Sequence, residues 1–215
     1  MSQDRQLQEA VLAELAWEPS ITAAHIGVAA DHGVVTLTGH VDNWWQKHAA
    51  ELATSRVKGV KGVAEELDVR LPFSVKRDDE DIARAAVDRL GWEASVPDDA
   101  IKVKVEKGWV TLSGQVAWHF QKEAARRVVG GLMGVVGVSN NVTIKPRADA
   151  HNISGDIRVA LHRSWFAPDT VHVTADGGKV KLTGTVDTPS ERRTAAATAW
   201  AAVGTTDVVN QLVIG

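Results

Sequence analysis

Apolar residues recur at a spacing of four in three separate stretches of the chain. Leu7, Val11 and Leu15 are followed by Ile82, Ala86 and Leu90, and then by Ile153, Ile157 and Leu161. That spacing puts each trio on one face of a helix. A loop containing Pro19, Pro97 or Pro168 follows each helix, and then the period shortens to two. Ile26 and Val28, then Ile101, Val103 and Val105, then Val171 and Val173 alternate with other residues. Such alternation predicts a half-buried strand. Each strand runs into a short glycine turn: Asp31-His32-Gly33, Glu106-Lys107-Gly108 and Asp176-Gly177-Gly178. Glycine permits the positive φ of tight hairpin loops, so a second strand is expected to fold back on the first. It reads Val-x-Leu-x-Gly-x-Val at 35–41, 110–116 and 180–186.

A second helix is expected next. Its start is marked in the third copy by Thr188-Pro189-Ser190-Glu191, a capping threonine with proline at the first helical position and glutamate three residues after the cap. Asn43 suits the same role in the first copy, whereas Trp118 in the second is a poor cap. The alanine pairs Ala49-Ala50, Ala124-Ala125 and Ala195-Ala196 let this helix lie close to a sheet. It ends near Gly59, Gly134 or Gly204, and a last strand closes each copy near Leu67, Val142 or Leu212. The order helix, strand, strand, helix, strand predicts an α+β unit with two helices packed on one face of a three-stranded mixed sheet. Three such domains in tandem are expected, at 1–71, 79–146 and 150–215. Polar, proline-bearing linkers separate them at Leu71–Asp78 and Lys145–Asp149.

The strand glycines Gly39, Gly114 and Gly184 stand 75 and 70 positions apart. A period this long fits a small domain copied in tandem, not a solenoid. Glycine inside a strand weakens it unless a bulge or a close backbone approach demands it, so all three are read as structural. Units of about 70 residues bury a modest core, which makes docking between them favourable.

The Val-x-Leu-x-Gly-x-Val strand, together with the ending Gly134-Val135-Val136-Gly137-Val138-Ser139-Asn140-Asn141-Val142, resembles the BON domain, the bacterial "transport-associated and nodulation" module. The resemblance covers nearly the whole chain in three copies. It implies a non-enzymatic protein of the bacterial stress response, in particular osmotic stress. Its partners would be phospholipid surfaces or envelope proteins, with potassium binding in one branch of the family. A protein–protein scaffold, self-associating or not, is the remaining alternative.

Composition narrows the remaining classes. Hydrophobic residues make up 44% and charged residues 24%, values of a globular chain and not a disordered one. The net charge of −3 argues against general nucleic-acid affinity. Charge is unevenly shared: residues 1–75 carry 6 basic and 10 acidic side chains, residues 76–148 carry 12 and 10, and residues 149–215 carry 6 and 7. The middle unit therefore tolerates an anionic surface best. There is no cysteine. Eight histidines fall at no position common to the three copies, and no His-x-x-His or His-Glu-x-x-His occurs. Neither a metal site nor a cofactor is expected. No phosphate loop, dinucleotide fingerprint or Gly-x-Ser-x-Gly is present, and no catalytic residue is assigned. Gly130-Gly131-Leu132-Met133-Gly134 reads as a helix stop. No apolar window is long enough for a transmembrane segment, and no basic start with an apolar core opens the chain. The expected compartment is the cytoplasm, or the periplasm if a leader has been removed.

Candidate binding residues come from the aromatic balance, eight tryptophans against no tyrosine. Adjacent Trp44 and Trp45 cannot both face one core from one helix, so one of them is expected at a surface or a joint between units. With Trp118 and Phe120 they form a candidate lipid or partner contact. The competing reading is packing between domains. Lys122, Arg126 and Arg127 follow on the second helix of the middle unit, with Lys122 and Arg126 on one face. They make a candidate anionic headgroup site, against the plainer reading of a solvated helix face.

Overall fold

The computed structural model describes residues 3–72, 74, 76–146, 152–163 and 168–215. Phe73 and Val75 of the first linker, Arg147, Ala148 and Asp149 of the second, the expected start of the third unit at 150, and His151 lie outside the described residues.

Three units repeat one order of elements. The first comprises α1 (Gln3–Trp17), β1 (Ile26–Asp31), β2 (Val34–Val41), α2 (Trp44–Thr54) and β3 (Gly62–Val69). The second comprises α3 (Asp79–Trp92), β4 (Ile101–Glu106), β5 (Trp109–Val116), α4 (His119–Gly130) and β6 (Gly137–Ile144). The third comprises α5 (Ile153–Leu161), β7 (Val171–Asp176), β8 (Lys179–Val186), α6 (Pro189–Ala201) and β9 (Asp207–Ile214). Each sheet has three strands, with the motif strand in the centre, antiparallel to its hairpin partner and parallel to the closing strand. The fold is thus the mixed-sheet α+β unit that the spacing predicts.

The helix trios Leu7/Val11/Leu15, Ile82/Ala86/Leu90 and Ile153/Ile157/Leu161 are all buried. They pack with Val35, Leu37 and Val41, or their equivalents, in one core per unit. The small side chains Ala50 and Ala53, Ala124 and Ala125, and Ala195 and Ala199 bring each second helix onto its sheet. The hairpins turn through two residues of positive φ: His32 and Gly33, Lys107 and Gly108, Gly177 and Gly178. This is the turn whose twist matches the flanking strands.

The strand glycines have φ of 111°, 142° and 116° at Gly39, Gly114 and Gly184. A Cβ at each would collide with the carbonyl oxygen of His25, Ala100 or Thr170 respectively, at the residue just before the neighbouring strand. Conformation and close approach both require glycine there, which is why the motif recurs.

Candidate functional site

The second helices α2, α4 and α6 carry most of the residues singled out by the sequence. Their starts are fixed in three ways. Asn43 Oδ1 accepts from the Gln46 N–H at 2.9 Å. Thr188 Oγ1 accepts from the Glu191 N–H at 3.1 Å, while the Glu191 carboxylate accepts from the Asp187 N–H at 2.8 Å. In the middle unit the work that Trp118 does poorly passes to Gln121, whose Oε1 accepts from the N–H groups of Ala117 and Trp118, both at 3.0 Å.

These helices meet head to tail. The 75- and 70-residue offsets make Trp44, His119 and Pro189 equivalent at the helix start, and Ser55, Gly130 and Trp200 equivalent near its end. Trp44 of the first unit lies on Gly130 of the second, where a Cβ would collide with the indole carbons Cζ3 and Cε3. Its ring packs against the middle unit's core. His119 of the second unit stacks on Trp200 of the third, with centroids 4.2 Å apart and planes inclined by 12°. The third unit returns to the first through Arg193, which donates to the Ser55 hydroxyl. Proline replaces the aromatic ring at position 189, so this joint is made one helical turn further along and is polar. The three contacts run in the same sense and close into a ring.

Charged groups line the joints. Arg126 sits 6.0 Å from the centroid of the Trp44 ring, a cation–π distance, and His48 is stacked on the same indole at 5.5 Å. The Glu51 carboxyl is held below its ordinary value, first by its hydrogen bond from His48 and then by the fields of Arg193 and Arg126. Burial lowers the His119 imidazole below its ordinary value, against the opposing pull of Glu123. Burial likewise lowers Arg193, opposed by Glu51.

The expected contact residues separate into two groups. Trp44, Trp45, Phe120, Arg126 and Arg127 line one cleft of about 590 Å³ between the first and second units. Trp118 and Lys122 lie outside its lining. Trp44 is partly buried in the joint, while Trp45 and Phe120 keep 42% and 57% of their surface exposed. Trp118 stacks on Phe120 at 6.5 Å. Lys122 and Arg126 share a face, but the Arg126 guanidinium is already bonded to Glu123 at 2.9 and 3.1 Å. Arg127 is exposed and stands 3.8 Å from Glu93. Beyond Trp45 and Arg127 a second cleft, of about 850 Å³, opens against Leu71, Pro72, Leu132 and Met133.

Two residues that the sequence reading passed over are the most exposed large apolar side chains among the described residues. Trp17 and Trp92 close the first helices of units one and two, at equivalent positions, with 85% and 88% of their surface exposed. Their signal was the same 75-residue spacing that marks the glycines. Gly130, which seats Trp44, gave no signal beyond a helix stop.

Among the described residues, ligand atoms of Asp4, Asp31 and His32 lie within 4.8 Å of one another. Asp4 Oδ1 accepts from the His32 N–H at 2.9 Å, and the Asp31 carboxylate meets His32 Nδ1 at 2.6 Å. The equivalent Asp79 accepts from the N–H groups of Lys107 and Gly108, both at 2.8 Å. The shared role of these aspartates is to tie the start of the first helix to the hairpin turn.

The family model described as "BON domain" matches residues 3–70, 78–146 and 149–215. The chain belongs to the BON-domain family. It is 32% identical over 146 residues to the osmotically-inducible protein Y of Escherichia coli strain K12, covering 66% of this chain and 73% of the relative. Among solved structures it overlaps CdsD, a structural protein of the type III secretion system of Chlamydia trachomatis. The identity is 20%, the coverage 98% of this chain and 92% of that one, and the TM-score 0.27. The PrgH periplasmic domain overlaps at 11% identity, 95% and 98% coverage and a TM-score of 0.22. Neither structural overlap is close enough to support an argument. Among the described residues no helix is long and apolar enough to cross a membrane.

Proposed function

We propose that this BON-domain protein is a non-catalytic binding protein that seats on phospholipid surfaces as part of an osmotic-stress response. The observation that carries the reading is the pair Trp17 and Trp92. Each ends a first helix at the same position of its unit, and each is almost wholly in water. An indole left exposed forgoes the burial that usually makes tryptophan worth keeping, and its apolar body with one polar N–H suits the boundary between water and lipid. Beside Trp17, Arg56 bonds both Glu14 and Glu18 at 3.0 and 3.2 Å and offsets one of their two negative charges. The single negative charge left over is exposed to solvent and screened by salt, so its repulsion from an anionic surface is weak. The resemblance to an osmotically inducible relative supplies the physiological setting.

Flotation with vesicles of mixed phosphatidylcholine and phosphatidylglycerol tests the proposal. The intact protein is expected to float with the vesicles, and the doubly substituted Trp17→Ala/Trp92→Ala protein to stay in the aqueous fraction with its circular dichroism unchanged. Equal flotation of the two proteins, or none by either, overturns it.

A further inference from the structure

We infer that the 590 Å³ cleft between the first and second units binds a small zwitterion that carries a quaternary ammonium group beside a carboxylate or phosphate. This goes beyond the vesicle reading and rests on other residues. Its volume is that of a small-molecule pocket, and three aromatic side chains, Trp44, Trp45 and Phe120, stand in its lining. Phe120 stacks with Trp118, and Trp45 meets His48 only edge-on, with planes inclined by 63°, yet both rings stay substantially exposed. Aromatic rings in the lining of a cleft attract cations, and Arg126 over Trp44 shows a cation already held by one of them.

The cleft also fixes the sign of charge at each side. Glu93 accepts from the Ser95 hydroxyl at 2.6 Å and from its N–H at 3.3 Å, which holds the carboxyl below its ordinary value and keeps it anionic. A cation between Glu93 and the exposed rings is therefore favoured. A quaternary ammonium suits them better than a primary amine: it has no N–H to satisfy, and its methyl groups match apolar ring faces. Arg127 supplies the opposite charge. It pairs with Glu93 at 3.8 Å, an ion pair longer than a hydrogen bond, and its side chain is 65% exposed, so its N–H groups can still turn to two oxygens of a carboxylate or phosphate. Arg126 is unsuited to that role because Glu123 already holds it.

Two sources share this chemistry: a free trimethylammonium solute and a choline headgroup. Equilibrium dialysis of the intact chain against labelled glycine betaine, and separately against phosphocholine, tests the inference. Dialysis is preferred to melting, because zwitterionic solutes stabilise many folded proteins by exclusion from their surfaces. Saturable binding of one equivalent to at least one of the two probes is expected, and the probe that binds identifies the source. Trp45→Ala/Phe120→Ala should weaken it about tenfold or more. Arg127→Gln should weaken the zwitterion to a similar degree, whereas the affinity for choline, which lacks the anionic group, should not fall. Unchanged circular dichroism, and unchanged flotation with choline-free vesicles of phosphatidylglycerol alone, separate loss of the cleft from loss of fold or of the Trp17 and Trp92 lipid contact. Non-saturable uptake of both probes overturns the inference, as does equal binding by the Trp45→Ala/Phe120→Ala protein.

Discussion

Replacing Gly130 by alanine should open the joint between the first and second units while leaving each unit folded. Gly130 ends α4 in ordinary helical conformation, so the new methyl group causes no backbone strain of its own. It does fall on Trp44 Cζ3 and Cε3, and the neighbouring backbone cannot give way without pulling α4 off its sheet. The indole must leave its seat. A tryptophan side chain buries roughly 150–250 Å² in a core, and Trp44 shares its contacts between two units. Roughly 100 Å² of that area belongs to the joint, worth about 2.5 kcal/mol at about 25 cal/mol per Å². Loss of the Arg126 cation–π contact adds about 0.5–1 kcal/mol. Against this, alanine favours helix over glycine by up to about 1 kcal/mol, less at the last residue of a helix. The net loss is therefore about 2–3 kcal/mol, confined to the joint. Small-angle scattering should show a larger radius of gyration, and indole fluorescence should rise in wavelength as Trp44 meets water. Far-ultraviolet circular dichroism should stay the same. A Gly130→Ala protein as compact and as stable as the parent would refute the seating argument.

Two further outcomes follow from the geometry. Gly114→Ala forces a non-glycine residue to φ 142° and drives a methyl group into the Ala100 carbonyl oxygen, so chemical denaturation should show about 2–4 kcal/mol lost from the middle unit. His119 stacks on Trp200 with its folded pKa lowered from the ordinary 6.5 by burial, so its contribution to stability is full above 6.5 and is lost as pH falls through the lower folded value. Melting temperature should therefore fall with pH across that window, and His119→Phe should flatten that part of the profile; identical profiles for the two proteins would show that the imidazole is not the titrating group.

The fold was legible because its determinants are local and repeated. A trio at spacing four, an alternating strand, a positive-φ turn and a strand glycine each act within a few residues, and each occurs three times. The site was legible only in part. Adjacent Trp44 and Trp45 implied that one of them faces away from their own core, and the structure sends Trp44 into the joint while Trp45 stays at the cleft. No local pattern could say that its seat would be Gly130, because that contact joins residues 86 positions apart across two domains. The poor cap at Trp118 was visible, but its remedy by Gln121 depends on a side chain reaching back to two backbone N–H groups. Trp17 and Trp92 stand at the repeat spacing, but a tryptophan at a helix end fits a buried position as well as an exposed one, and only the packing decides which.

Three units of one fold in one chain face a problem of self-recognition during folding: any helix start could dock on any helix end, in the wrong order or on a neighbouring molecule. The joints answer it with mutually exclusive fittings. A bulky indole needs the bare glycine at 130 and cannot occupy the place filled by the Trp200 ring; the flat imidazole of His119 needs that ring; the guanidinium of Arg193 needs the hydroxyl of Ser55. The three joints differ at both partners, helix start and helix end, so a mismatched pairing forgoes the fit that each correct one makes.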